Sequence, residues 1–498
     1  GGGRNSRLQP KECELDFKKH TQEAPAGIGD LKEGGKLDYQ EFLKSKQVIH
    51  QSTGLDVPRE QLSPLLFEFQ KDLTRWNLLK GRSALFASTG LGKTFMQVDW
   101  GNQVHQHTGE NVLILAPLAV SQQTVREAKK LDITVNLCRT QADVKPGINI
   151  TNYEMLQHFK PEKFVGVVVD ESSILKSFTG KLRQQITEAF EYTPFKLSAT
   201  ATPAPNDYME LGTQAEFLGV MKRNEMLAMF FTHDGSDTSK WRLKGHAQKR
   251  FWEWVASWAA VITKPSDLDY DDGDFNLPPL RIHEEIIKTD RPLDGSLFVV
   301  EAKTLQEQRA AARQTLPQRV ERCADKVNNS DKPHLVWCNL NTESEALKRA
   351  IPDAIEVKGS DSNEHKEDAM MGFMDGKYRV LVSKPSICGF GMNFQHCSNM
   401  TFVGLSHSFE QYYQAVRRCW RFGQTEPVDV TIITSDLEGA VKANIERKER
   451  DAEQMIQEMV EYTRDITRRN VRATVKEVTE YNPTVKMQIP DWLRSEVI

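Results

Sequence analysis

The feature that most constrains the fold is a glycine-rich turn between an apolar strand-like run and a helical pattern. The segment Ala87-Ser-Thr-Gly-Leu-Gly-Lys93-Thr94 follows the apolar residues 83–87, and a helix is predicted to begin near Lys93. This arrangement matches a phosphate-binding loop in which Ala replaces the first Gly. Backbone N–H groups and a lysine would hold the phosphates, and a threonine hydroxyl would bind Mg²⁺. The predicted nucleotide-binding residues are Thr89, Gly90, Leu91, Gly92, Lys93 and Thr94. The alternative is a glycine-rich turn that happens to precede Lys-Thr.

Strand-like and helical segments alternate along two stretches of the chain. The predicted strands cover residues 83–87, 112–116, 148–151, 165–170, 334–338, 380–383, 399–403 and 428–433. Strands interleaved with helices are typical of a parallel sheet with helices on both faces. The chain is therefore predicted to be α/β, with a second α/β lobe after the first.

A run of β-branched residues ends in two acids, Asp170 and Glu171. A buried parallel strand delivers such residues to the carboxyl edge of its sheet, where ligands of these sheets bind. Asp170 is placed to hold Mg²⁺, through water, and Glu171 to orient and deprotonate an attacking water. An ordinary strand that ends in a solvated acidic turn is the alternative.

Hydroxyl side chains follow in the segment Leu197-Ser198-Ala199-Thr200. Ser198 and Thr200 could hydrogen-bond the acidic pair and so sense the γ-phosphate. A Ser/Thr turn closed by Pro203 is the alternative.

Arginines are clustered in Gln414-Ala-Val-Arg417-Arg418-Cys-Trp-Arg421, in the second lobe. Arg418 and Arg421 are three residues apart, so they share a helical face and can converge on one anion. They are predicted to be arginine fingers that reach ATP bound on the other lobe, with Gln414 as a further catalytic residue. The alternative is a basic helix face that contacts solvent or a phosphate backbone. The fixed order of all four motifs favours the catalytic interpretation.

Composition excludes several classes of protein. Of the 498 residues, 39% are hydrophobic and 27% are charged, which is typical of globular domains. The seven cysteines form no Cys-x-x-Cys pair, which argues against a zinc ribbon or a disulfide framework and favours a reducing cytoplasm. Apolar runs are too short for a membrane span. With a net charge of −4, a nucleic-acid site must be a local groove.

Taken together, these motifs resemble helicase superfamily 2, most closely its Swi/Snf-related branch in the compact form of phages and prophages. The resemblance covers about residues 62–435 and includes the ending Arg421-Phe-Gly-Gln424. It implies two tandem RecA-like parallel-sheet lobes, a helical insertion, a C-terminal helix, ATP and Mg²⁺ as cofactors, and location in the cytoplasm of a bacterial or phage-infected cell. As the track of the motor, duplex DNA is favoured over single-stranded DNA, and RNA is the alternative. A partner protein is also compatible with the resemblance.

The same resemblance assigns further residues. Gln70 resembles the glutamine that reads adenine in this superfamily. Residues expected to couple ATP to the track are Ser198, Thr200, Gly389, Gly391 and Asn393. Residues expected to contact nucleic acid are Pro117, Thr151, Asn339 and Thr342. The acidic segment reads Asp-Glu-Ser-Ser, Cys388 stands where Gly is usual, and residues 406–409 lack the usual Trp-Asn-Pro. These departures affect the subfamily, not the phosphate, Mg²⁺ or water contacts.

The predicted domain boundaries follow from these patterns. Residues 1–37 are a disordered lead-in, 38–212 the first lobe, 213–278 a helical insertion and linker, 279–435 the second lobe, and 436–498 a bracing helix and tail. The predicted function is an ATP-dependent DNA helicase or translocase. The alternatives are an RNA helicase and a non-catalytic nucleic-acid-binding or partner-binding subunit whose ATPase is vestigial.

Overall fold

A seven-stranded parallel sheet forms the centre of the first lobe. The computed structural model describes residues 50–176, 180–204, 207–233, 241–288, 305–389, 392–406, 408–436 and 439–473. Numbered in chain order, the strands of this sheet are β1 (Arg82–Ala87), β2 (Val112–Ala116), β3 (Val135–Leu137), β4 (Ile148–Asn152), β5 (Gly166–Asp170), β6 (Phe195–Thr200) and β9 (Ala259–Ile262). Their spatial order is β3-β4-β2-β5-β6-β1-β9. The glycine-rich turn therefore leaves the sheet close to the acidic pair, because β6 alone separates β1 from β5.

A second parallel sheet of six strands forms the second lobe. Its strands are β10 (Leu280–Ile287), β11 (His334–Cys338), β12 (Ala354–Val357), β13 (Val380–Ser383), β14 (Asn399–Val403) and β15 (Val428–Ser435), in the order β10-β15-β14-β11-β13-β12. Two short strands, β7 (Phe231–His233) and β8 (Trp241–Leu243), pair as an antiparallel hairpin outside both sheets. The prediction of an α/β fold with two parallel-sheet lobes is confirmed.

Helices cover both sheets and connect their strands. Those of the first lobe and its insertion are α1 (Glu68–Lys80), α2 (Lys93–Thr108), α3 (Leu118–Lys130), α4 (Lys181–Ala189), α5 (Leu211–Leu218), α6 (Arg223–Phe230) and α7 (Gln248–Trp258). Those of the second lobe and the C-terminal region are α8 (Leu305–Gln314), α9 (Leu316–Asn328), α10 (Asn341–Ala350), α11 (Asn363–Met374), α12 (Pro385–Cys388), α13 (Phe409–Val416) and α14 (Gly439–Ala473). No helix among the described residues is both long enough and apolar enough to cross a membrane.

The insertion differs from its prediction as a purely helical segment. Strand β9 lies within residues 213–278, yet it pairs in parallel with β1 and completes the first sheet. The run Ala259-Ala-Val-Ile262 directly continues α7, which is why its helical neighbours dominate the sequence pattern. All four residues are buried, and Ala260 and Ile262 belong to the first lobe's apolar core. The first lobe therefore includes a strand from beyond its predicted boundary.

The long helix α14 packs on both lobes. Near its start, Val441 and Ile445 belong to the apolar core of the second lobe, whereas Val471 near its end belongs to that of the first. Tyr462 stacks on Trp252 of α7 with ring centroids 5.6 Å apart. This helix therefore links the lobes, as a bracing element does. The predicted lead-in, residues 1–37, lies outside the described residues.

An ion pair inside the second lobe fixes the turn after β11. Arg319 of α9 and Glu343 of α10 are both buried, and their Nη2 and Oε1 atoms are 3.0 Å apart. The other carboxylate oxygen of Glu343 accepts hydrogen bonds from the backbone N–H groups of Asn339 and Leu340, at 2.7 and 2.8 Å. The Glu343 carboxylate therefore holds both α9 and the start of α10.

We predict that Glu343→Gln destabilises the protein by about 3 kcal/mol, because the buried Arg319 guanidinium loses the charge of this carboxylate. Urea or thermal unfolding of the second lobe measures the effect. Glu345→Gln, on the same helix, is the matched control, because the side chain of Glu345 is exposed and should leave the unfolding midpoint unchanged. Equal midpoints for wild type and Glu343→Gln would show that this pair does not support the turn.

Candidate nucleotide site and inter-lobe cleft

The glycine-rich turn adopts the backbone shape of a phosphate-binding loop. Gly90 and Gly92 have φ of 94° and 78°, a region that glycine reaches without the penalty a Cβ brings. Helix α2 begins directly after Gly92, so its free N–H groups and the positive end of its dipole face the loop. The Nζ of Lys93 donates to the carbonyl of Ala87 at 2.8 Å. Burial lowers the pKa of Lys93 to about 8, an effect that the carboxylates of Glu171 and Asp170 oppose.

Gln70 lies behind the loop and is fully enclosed by protein. Its Nε2 donates to the carbonyl of Leu91 at 3.0 Å, and its Oε1 accepts from the backbone N–H of Phe67 at 3.0 Å. A Cβ on Gly92 would lie 2.3 Å from that Nε2, so the loop and the amide are in close contact. The Nε2 of Gln70 thus holds the loop, and its Oε1 caps the start of α1. Reading adenine, the role expected of it, would require Gln70 to exchange these partners.

The acidic pair lies at the carboxyl end of β5, as its strand pattern predicts. The Nε2 of Gln97, on α2, donates to Asp170 Oδ1 at 2.7 Å. Burial and the neighbouring Glu171 raise the pKa of Asp170 to about 6. Glu171 has φ of 53°, a left-handed conformation that costs a non-glycine residue about 1 kcal/mol and is typical of functional positions. The side chains of this pair are therefore held at the edge of the sheet, facing the loop.

The residues present fit a magnesium ion. Thr94 and Asp170 line the same cavity, and Mg²⁺ is usually held by one or two protein oxygens together with waters and substrate phosphates. In the described ranges no group of three or more His, Cys, Asp or Glu could hold a metal by itself. The raised pKa of Asp170 shows a buried carboxylate that a cation would stabilise. A magnesium site completed by nucleotide phosphates therefore needs only these few protein oxygens, and the ion would stabilise the buried Asp170 carboxylate.

Arg418 and Arg421 face this acidic pair from the second lobe. Both line a cavity of about 180 Å³ with Lys93, Asp170 and Glu171 of the first lobe. Burial lowers the pKa of Arg418 to about 10, so its guanidinium stays charged at neutral pH. The structure therefore brings the predicted loop, acids and arginines together in one cleft.

Gln414 has a different role from the catalytic one predicted for it. Its side chain is fully buried and does not line the cavity. Its Oε1 accepts from Arg418 Nη2 at 2.7 Å, and its backbone carbonyl accepts from Arg418 Nε at 2.8 Å. The carbonyl of Met392 accepts from Arg418 Nη1 at 3.1 Å. Gln414 is thus a positioning residue for Arg418, because it is one helical turn away and has no surface toward the ligand.

The predicted coupling residues separate into two groups. Thr200 Oγ1 donates to Glu171 Oε2 at 3.4 Å and Asn393 Nδ2 donates to Glu127 Oε1 at 2.7 Å, so both contact the cleft. Ser198, in contrast, donates to Gln214 in the interior and not to the acidic pair. Its position two residues earlier in β6 places it deeper in the core. Gly389 caps the short helix α12 and does not line the cavity, and Gly391 lies outside the described residues.

The predicted nucleic-acid contacts are only partly at the cleft. Pro117 lines a second inter-lobe cavity of about 550 Å³, next to the first. Thr151 is buried in β4, so its hydroxyl cannot reach a phosphate backbone, and the prediction for it is wrong. Asn339 and Thr342 are exposed around the start of α10, away from this cavity. Tyr153, directly after β4, reaches the cavity instead.

Sequence reasoning missed several residues that connect the lobes. Gln123 Oε1 accepts from the backbone N–H of Asn393 at 3.1 Å, and Gln123 Nε2 donates to Glu127 at 2.7 Å. The four-residue spacing of Gln123 and Glu127 shows that they share a face of α3. That spacing is the signal in the sequence that could have identified the two residues. It is not specific, because polar pairs four residues apart are also common on helices that face solvent. Phe422 was also missed; a Cβ on Gly90 would lie 2.9 Å from its backbone nitrogen, so the loop touches the second lobe.

Comparisons with known proteins found a family profile, a related sequence and a solved structure. The profile of the helicase conserved C-terminal domain matches residues 316–423, which include Arg418 and Arg421. The putative protein p41 of Acyrthosiphon pisum secondary endosymbiont phage 1 is 26% identical over 403 residues, covering 68% of this chain and 84% of that protein. The Sulfolobus solfataricus SWI2/SNF2 ATPase core in complex with dsDNA covers 84% of this chain and 99% of that chain, with 15% identity and a TM-score of 0.40. The helicase profile supports the predicted resemblance to helicases on the lobe that carries the arginines.

We predict that Gln414→Ala lowers kcat for ATP hydrolysis by about 10-fold with little change in KM, because Arg418 loses the acceptor that orients it while the phosphate loop is untouched. Steady-state kinetics measure both constants. Gln411→Ala, on the same helix, is the control, because the Gln411 side chain accepts a hydrogen bond from Ser406, whereas Arg418 donates to Gln414 and Met392. An unchanged kcat in a folded Gln414→Ala variant would exclude the positioning role.

Proposed function

We propose that this protein is an ATP-driven motor that translocates on duplex DNA, because it has two parallel-sheet lobes and the second matches the profile of the helicase conserved C-terminal domain. The observation that carries the proposal is the shared cavity in which Lys93 and the acidic pair face Arg418 and Arg421. A catalytic site divided between two lobes makes hydrolysis depend on their relative position. Changes in that position can then be used to move along a track. The motor would act in the cytoplasm of a bacterial or phage-infected cell.

The chemistry follows from positions and charges. Phosphoryl transfer is catalysed mainly by positioning and by charge stabilisation. The loop N–H groups and Lys93 bind the phosphates, Thr94 and Asp170 hold Mg²⁺, and Glu171 orients the attacking water and accepts its proton. When bound, Mg²⁺ neutralises charge on the phosphates. The guanidinium groups stabilise the transition state, and an arginine finger is worth about 10³–10⁵-fold in rate, or roughly 4–7 kcal/mol.

The proposed path of the DNA runs on the far side of Glu171. The cavity of about 550 Å³ begins there, between Pro117 and Tyr153 of the first lobe and Gly359 and Lys366 of the second. Glu171 lines both cavities, so one residue touches the hydrolysis site and the proposed track side. Duplex DNA is proposed because of the Swi/Snf-like ending of the arginine motif. Binding dominated by the phosphate backbone should weaken steeply with salt and show little sequence preference.

We predict that duplex DNA stimulates ATP hydrolysis by the wild type and that Lys93→Ala lowers the stimulated turnover by about 10²-fold or more, because the loop loses its charge on the phosphates. Phosphate release with and without DNA measures the effect. Lys129→Ala is the matched control, since Lys129 is an exposed lysine on α3. If the wild type shows no more DNA-stimulated turnover than Lys93→Ala, the motor proposal is wrong, and stronger stimulation by RNA would make RNA the track.

We predict that the protein displaces a third strand from a DNA triplex in an ATP-dependent reaction without unwinding a forked duplex, because a duplex translocase moves along paired strands. Gel separation of labelled strands measures both reactions. The Lys93→Ala variant should be inactive in both. Robust unwinding of the fork would identify a strand-separating helicase instead.

A further inference from the structure

An ion pair crosses the cleft on the proposed track side. The Nζ of Lys176, in the first lobe, contacts Oε2 of Glu410, in the second. The side chains are only 30% and 13% exposed, and both line the cavity of about 550 Å³. Glu171 lines the same cavity. The pair therefore lies close to Glu171, the residue that lines both this cavity and the proposed hydrolysis site.

Lys176 is held at a set position relative to Glu171. A short 3₁₀ helix, Ser172–Lys176, joins the two residues directly. Within it the N–H of Ile174 donates to the carbonyl of Glu171 at 3.1 Å, and Gln214 Nε2 donates to the carbonyl of Ser172 at 2.7 Å. Displacing the Lys176 side chain therefore acts on the segment that carries the water-activating carboxylate.

Glu410 is held in the same way relative to Arg418. It lies in the first turn of α13, where the hydroxyl of Ser408 accepts from the N–H of Gln411 at 3.3 Å and caps the helix. Gln414 is one turn further along, and its Oε1 accepts from Arg418 at 2.7 Å. Helix α13 ends at Val416, and Arg418 lies in the turn that follows, so a contact at Glu410 acts on Arg418 through α13 and the Gln414 side chain.

We propose that Lys176 and Glu410 are positioning residues that hold the Glu171 segment, and α13 with the Arg418 turn that follows it, at the separation that hydrolysis requires. This inference rests on the proposed function and identifies the contact that sets the closed arrangement of its site. Other ion pairs between the lobes, Arg126–Asp375 and Arg139–Glu364, are exposed at both ends, where solvent and salt weaken them. The Lys176–Glu410 pair is partly withdrawn from water and directly adjoins both catalytic segments.

The charges that line the cavity make the two possible charge reversals unequal in their effect. Four carboxylates line it, those of Glu154, Glu171, Glu367 and Glu410, against the ammonium groups of Lys176 and Lys366. Reversing Lys176 leaves five carboxylates and one lysine, whereas reversing Glu410 leaves three of each. Like charges in a partly buried space repel one another, so Lys176→Glu should separate the lobes more than Glu410→Lys does.

We predict that Lys176→Glu lowers kcat for DNA-stimulated ATP hydrolysis by about 10-fold, with KM for ATP within about 3-fold, because the phosphate loop is intact. Glu410→Lys should have a smaller effect, and the double variant Lys176→Glu/Glu410→Lys should recover kcat to within about 2-fold of the wild type. The neutral pair Lys176→Met and Glu410→Gln repeats the test if a reversed charge prevents folding. Arg139→Glu, which reverses an exposed inter-lobe pair, is the matched control and should retain kcat.

A second measurement is independent of ATP hydrolysis. Small-angle X-ray scattering should show a larger radius of gyration for Lys176→Glu than for the wild type, and the double variant should restore it. If the wild type hydrolyses no ATP but the scattering follows this pattern, the motor proposal fails and the role of the pair in closure stands. A wild-type kcat and radius for Lys176→Glu would overturn the inference, as would a folded double variant that recovers neither.

Discussion

Burial of opposed charges in the cleft is the constraint on which the rest of the site depends. Burial lowers the pKa of Lys93 to about 8 and of Arg418 to about 10, and raises that of Asp170 to about 6. Removing such groups from water costs several kcal/mol each, which only close opposite charges and hydrogen bonds offset. The two lobes therefore meet where the cations of the second face the carboxylates of the first. A motor gains from this arrangement because a change in the distance between the lobes changes the charge balance of the catalytic site.

The long C-terminal helix limits how the lobes can move. Helix α14 has 35 residues, a length of about 50 Å, and joins the core of the second lobe to that of the first. Near its end, Arg468 Nε donates to the carbonyl of Asp267 at 2.8 Å, and Tyr462 stacks on Trp252. Closure at Lys176 and Glu410 thus takes place while α14 is packed on the cores of both lobes.

Much of the fold and part of the site could be predicted from residue patterns. Strands 112–116, 334–338, 380–383 and 399–403 begin and end where predicted, because a buried parallel strand needs an unbroken apolar run. Residues at the carboxyl ends of those strands converge, as expected for a parallel sheet. Strand β9 was missed because it directly continues a helix. Thr151 and Ser198 were misplaced because both faces of a central parallel strand are covered, so side chains along the strand are buried on either face.

The local pattern determined the α/β class, the phosphate loop and the identity of the charged residues, since strand and helix periods and glycine conformations are properties of short segments. Tertiary structure alone decided which of those residues face the ligand. Gln414 and Arg418 are equally polar in sequence, yet packing encloses the first and leaves the second at the cavity. The Lys176–Glu410 contact joins residues that are 234 positions apart in the sequence. A contact over such a separation leaves no periodic pattern in the sequence. It exists because two separately folded sheets bring their edges together, and that depends on the packing of the whole chain.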